Sequence, residues 1–125
     1  MSPPSRRETI RGALAQLIDA YAKWPTGDHF VVLKPPDAEV PLVRVNLELM
    51  NFSYPLTVDP AEGLRTLRIP PLPTMRCVDW EPGESATLEL VNLLDTDWLS
   101  EFIEGLFLDL HGYGTEQPLE TFVRN

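Results

Sequence analysis

The chain has 125 residues, 43% of them apolar and 23% charged, a composition that fits one folded domain and leaves no room for a TIM barrel, a full dinucleotide-binding enzyme or a solenoid of long repeats. No stretch approaches the roughly 20 continuous apolar residues of a membrane span. A net charge of −9 argues against nucleic acid or an anionic membrane as partner, and 13 prolines predict many loops and short elements.

Ser5-Arg6-Arg7-Glu8 has capping-box spacing, serine followed three residues later by glutamate. Ile10, Ala13, Leu14, Leu17, Ile18 and Tyr21 then recur in steps of three and four, which predicts a helix over about residues 6–23, stopped by Pro25 and Gly27. Phe30-Val31-Val32-Leu33 reads as a short strand. Over residues 42–50, Val43, Val45, Leu47 and Leu49 alternate with Arg44, Asn46 and Glu48, the pattern of one half-buried strand. The loop Pro35–Pro41 makes the two strands a hairpin.

Residues 51–73 leave alternatives open. Phe52 and Tyr54 extend the preceding strand or pack a loop. Asp59-Pro60-Ala61-Glu62 opens a helical turn, with proline at its first position. Leu64–Ile69 reads as a short strand, and Pro70–Pro73 as an irregular extended segment. Met75–Trp80 and Ala86–Val91 read as strands around the turn Glu81-Pro82-Gly83-Glu84. Asp95, Thr96 and Asp97 supply capping groups for a helix over about residues 97–111, with Leu99, Phe102, Ile103, Leu106 and Leu110 on one stripe and Gly112 and Gly114 at its end. The tail Pro118–Val123 adds an edge strand or lies across the core. This order of elements predicts a single α+β domain over residues 1–125, an antiparallel sheet with an N-terminal and a C-terminal helix packed on it.

No motif declares a chemistry. A Gly-rich phosphate loop, paired CxxC, His-Glu-x-x-His and an EF-hand loop are all missing from the sequence. Cys77, the only cysteine, falls in a predicted strand and reads as a small buried hydrophobe; with no internal disulfide possible, and no apolar leader in residues 1–7, a cytoplasmic setting is expected. His29 reads as a loop residue and His111 as a cationic partner of a helix C-terminus. Trp24, Trp80 and Trp98 read as core or rim residues. No catalytic residue, cofactor or metal is assigned, and a non-enzymatic protein is expected.

Charge is strongly segregated. Residues 1–76 carry nine basic and eight acidic side chains, a net of +1; residues 77–125 carry one basic and eleven acidic, a net of −10. An acidic surface that attracts a basic protein or peptide is the sharper implication, solubility the plainer one. Trp98, Phe107 and Leu108 widen the apolar arc of the C-terminal helix and are expected to contact a partner or a second subunit, with Asp97, Glu101 and Glu104 providing the acidic face.

A Trp24-Pro25-Thr26-Gly27 step follows the first helix, and Phe30-Val31-Val32-Leu33 and the alternating residues 42–50 come next. Trp80 precedes the final strand, and the acidic, apolar helix runs into Pro118-Leu119-Glu120-Thr121-Phe122. In these features the chain resembles the type III secretion chaperones and the related TY-Chap domains. The resemblance implies an N-terminal helix, a twisted antiparallel sheet and a C-terminal amphipathic helix. It also implies binding of extended protein segments on apolar patches, homodimers, and no catalytic residues. The expected function is thus a chaperone-like or adaptor protein. The alternative is a small acidic inhibitor, such as an immunity protein, whose carboxylates in residues 95–104 and 116–120 cover the basic active site of a toxin.

Overall fold

Helix α1, Arg6–Lys23, begins where the capping pattern places it: Ser5 Oγ accepts from the Glu8 amide at 3.2 Å. Its stripe Ile10, Ala13, Leu14 and Leu17 is buried. The structure, a computed structural model, describes residues 5–36, 42–46, 48–66, 76–90, 96–113 and 119–124. Strands β1 (Phe30–Lys34), β2 (Val43–Val45), β3 (Leu49–Ser53), β4 (Cys77–Glu81), β5 (Ser85–Glu89) and β6 (Glu120–Arg124) form one six-stranded sheet in the order β4-β5-β3-β2-β1-β6, antiparallel throughout. Helix α2 is the short Pro60–Gly63 and helix α3 is Thr96–Gly105.

Burial alternates along the strands, as period-2 side chains on a one-sided sheet require. Val31, Leu33, Val43, Val45, Met50, Phe52, Ala86 and Leu88 point into the core and meet Leu14 and Leu17 of α1 and Phe102, Ile103 and Leu106 from α3 and the turn after it. Among the described residues, helices line that face alone and leave the other side of the sheet open. The expected α+β architecture, with helices from both ends of the chain on an antiparallel sheet, is the one observed. Among the described residues no helix is long and apolar enough to cross a membrane.

Four local expectations hold. Asp59 caps α2, its Oδ1 accepting from the Ala61 amide at 2.8 Å. Gly83 takes φ +75° as the third residue of the β4–β5 turn, closed by a Glu84 N–H to Glu81 carbonyl bond of 3.0 Å; a proline before a left-handed glycine is the type II arrangement. Gly112, at φ +72°, ends the C-terminal helical segment. The tail supplies an edge strand, β6, paired with β1.

Others are corrected. Residues 42–50 are not one strand. Asn46 Oδ1 accepts from the amides of Glu48 and Leu49 at 2.8 and 2.7 Å, so the chain reverses there and β2 pairs antiparallel with β3. The asparagine side chain mimics a backbone turn, and the reversal shifts the phase of β3: Leu49 faces out while Met50 and Phe52 face in. Leu64–Thr66 is a 3-10 turn rather than the start of a strand. The rest of that predicted strand lies outside the described residues, as do Leu47, Pro70–Pro73, Asp95 and Gly114. Cys77 is in a strand as expected, but on the outermost one, where it is exposed. After α3 the chain makes a π turn, Leu106–Leu110, closed by the His111 amide on the Leu106 carbonyl at 3.2 Å.

Candidate functional site

The α3 residues expected to meet a partner are divided by the fold. Phe107 is fully buried, between the Arg6 guanidinium 5.6 Å from its ring centre and the Tyr113 ring at 6.3 Å. It belongs to the core, because α1 and the chain beyond the π turn both close over it. Trp98 is half-buried and stacked on Phe102 at 5.3 Å, and Leu108 is half-buried.

The three acids face the molecule's own N-terminal helix. Glu104 takes Arg6 in a two-point ion pair, Nε to Oε2 at 2.8 Å and Nη2 to Oε1 at 3.0 Å, and Arg6 also donates to the Tyr113 carbonyl at 3.1 Å. Glu101 pairs with Arg7, and Asp97 with Arg11 at 3.0 Å. Arg6, Arg7 and Arg11 rise along α1 as Glu104, Glu101 and Asp97 descend α3, so the two helices run antiparallel with matched charges. The sequence carried part of this signal in its spacing, since Asp97, Glu101 and Glu104 step by four and three and Arg7 and Arg11 by four, at opposite ends of the chain. Part of the charge segregation is therefore intramolecular complementarity.

Five acids without a cationic partner gather elsewhere. Asp79, Glu81 and Glu84 lie on edge strand β4 and its turn, with Asp59 and Glu62 of the α2 region beside them. None of the five has a cationic partner among the described residues. The crowding registers on Glu81, whose carboxyl titrates above its ordinary value because Glu84 shares a hydrogen bond with it and repels its charge, with Asp79 adding to the effect.

Neither histidine nor the cysteine joins a reactive constellation. His29 is buried, its Nε2 2.9 Å from the Trp24 carbonyl and its ring edge-on to Tyr21. The His111 ring lies with Nε2 3.0 Å from the Ser53 carbonyl, and burial pushes its pKa below the usual value. That ring is held neutral, which corrects its reading as a cation at a helix end. Partial desolvation by its neighbours, with the charges of Asp59 and Asp79 adding to it, pushes the exposed Cys77 thiol up, and Sγ donates to the Asp79 carbonyl at 3.3 Å; it is a thiol, not an activated nucleophile. The indole N–H of Trp80 is buried with no acceptor among the described residues. Among those residues no three or more His, Cys, Asp or Glu side chains gather to hold a metal.

The open sheet face is the remaining feature. Strand register sets Phe122, Val32, Arg44, Asn51, Thr87 and Asp79 in one row across the six strands. Phe30 and Leu49 stand in the adjacent row. Phe122 and Leu49 are 38% and 36% exposed. A concavity of about 250 Å³ is lined by Asp28, Phe30, Arg44, Asn46, Leu49, Asn51 and Thr87. The Arg44 guanidinium lies over the Phe30 ring at 4.0 Å. Asn51 Nδ2 donates to Thr87 Oγ1 at 2.8 Å, tying β3 to β5. Sequence reasoning placed Arg44 on a wet face but did not join it to Phe30 or Phe122, because strand order brings those residues together. No protein-family model matches the chain, and no curated protein or solved structure matches it.

Proposed function

We propose that this chain is a non-enzymatic protein-binding module, chaperone-like or adaptor in kind, that grips a partner segment on the open face of its sheet. The observation that carries the reading is the apolar group Phe122, Val32 and Phe30 on β6 and β1, with exposed Leu49 across β2 from it, on a sheet face that no helix covers among the described residues. Apolar side chains grouped on an exposed face are a common mark of an interaction surface. The likeness to secretion chaperones and TY-Chap domains in the sequence points the same way. Its gripping surface is moved, however, from α3 to the sheet, because the α3 acids are engaged by α1.

A second reading, an acidic inhibitor or immunity protein covering a basic active site, is supported by the five unpaired carboxylates around β4. Such an interface associates fast and weakens steeply with salt.

The test uses the chain as bait in its own cell lysate, alongside Val32→Asp/Phe122→Asp, with rebinding of purified components. Both substitutions lie on the open face, so circular dichroism is expected to be unchanged. A partner kept by the wild type and lost by this variant supports the open-face reading. Equal recovery by both baits overturns it. A partner lost instead with Asp79→Asn/Glu84→Gln selects the acidic inhibitor.

A further inference from the structure

We propose that the concavity around Arg44 receives an acidic side chain of the bound segment, so that the open face selects peptides with one Asp or Glu set among apolar residues. The inference rests on the protein-binding reading above and adds the chemistry of the occupant. Arg6, Arg7, Arg11 and Arg76 each have a carboxylate partner. Arg44 and Arg65 have none among the described residues, and of these two only Arg44 lines a concavity. Its guanidinium rests over the Phe30 ring, and stacking of this kind occupies the face of the group while leaving its N–H edge for a planar carboxylate.

The surroundings favour a peptide over a small free anion. Phe30 and Leu49 wall the concavity, and the neighbouring row continues to Val32 and Phe122. Asn51 uses its amide nitrogen on Thr87 and the Ala86 carbonyl, which leaves its oxygen able to accept a peptide N–H. About 250 Å³ on an open surface accommodates one side chain, whereas pockets that enclose a small ligand run to roughly 300–1,000 Å³. The charge pattern also limits the acid count. Asp28 lines the concavity together with Arg44, and Asp79 lies three strands away in the same row on edge strand β4, so one carboxylate is matched by Arg44 and each further one on the segment meets only like charge.

The experiment pans a display library of short random peptides on the full chain and on Arg44→Gln, with Arg44→Lys as a second variant. Arg44 is exposed, so the folds are expected to match by circular dichroism. Peptides enriched on the wild type are expected to carry one Asp or Glu beside apolar residues. The acidic preference disappears on Arg44→Gln and weakens on Arg44→Lys, which keeps charge but not the planar fork. An enriched peptide resynthesised with Asn for Asp binds the wild type about tenfold more weakly, the order expected for a charge-assisted hydrogen bond. Apolar peptides without acidic preference, or a preference that survives Arg44→Gln, overturn the proposal and leave the protein-binding reading standing. No enrichment on any form counts against both. Free phenylacetate binding as tightly as the peptides, read from amide shifts at Phe30, Arg44 and Thr87, overturns the peptide assignment in favour of a small-molecule site.

Discussion

Arg6 shows what a basic side chain costs and gains inside this fold. Its side chain is 1% exposed, and that of its partner Glu104 is 15% exposed. A buried charge is tolerated only with its hydrogen-bond capacity filled, and Arg6 fills it with both Glu104 oxygens and the Tyr113 carbonyl while its guanidinium lies over Phe107. Glu104→Ala is expected to destabilise by about 3 kcal/mol in urea unfolding, because it strands the guanidinium. The double variant Arg6→Met/Glu104→Ala should recover part of that loss; equal or greater destabilisation would show that packing, not the unpaired charge, dominates. His111 makes a pH-dependent contribution. Burial lowers its folded pKa below the ordinary 6.5, so the folded state disfavours its proton. The stability it confers is complete above the ordinary value and is lost as pH falls through the lowered one. The stability difference between wild type and His111→Gln should therefore shrink as pH drops from about 7.5 to about 5.5. A constant difference would mean the ring is not held neutral.

Among elements, the C-terminal helical segment departs furthest from its sequence stripe. The π turn at Leu106–Leu110 lets consecutive Leu106 and Phe107 both enter the core, where a simple helical stripe assigns Phe107 to the outside. Phe107→Asp is expected to abolish the folded state, since it places an unpaired carboxylate in the core beside a guanidinium already engaged. Leu108→Asp, one residue on and half-buried, should leave a cooperative thermal transition. If Phe107→Asp melts cooperatively near the wild-type temperature, Phe107 is not core. The β2–β3 reversal is the other element decided by one side chain. Asn46 alone closes two amide bonds there, and it is the reason an unbroken apolar alternation becomes two strands.

At the scale of the molecule, charge and apolar surface are sorted by opposite logics. The arginines near the N-terminus and the acids of α3 meet across an antiparallel helix pair. Other acids of the C-terminal half crowd the β4 edge, at the far side of the sheet from β6. Repulsion at that edge discourages strand addition there, as charged edges generally do. The open face between the two edges carries Arg44, a cation with no carboxylate partner among the described residues, beside apolar side chains, and this is why the proposed binding is placed there.

Much of the fold was legible in the residues. Helix α1, the strand pair closed by Pro82-Gly83, the cap at Asp59 and the α+β class come from local rules: periodicity, capping oxygens and left-handed glycines act within a few residues of themselves. The candidate site was not legible, because it is assembled from Phe30, Arg44, Asn51, Thr87 and Phe122, which lie on five strands whose order is not their sequence order. Which side chains share a face is local, and period 2 determines it; which strands are neighbours is a contest among long-range pairings, and only the packed sheet resolves it. The same holds for Glu104: its spacing announced a helix face, but tertiary contact with Arg6 decided that the face points inward.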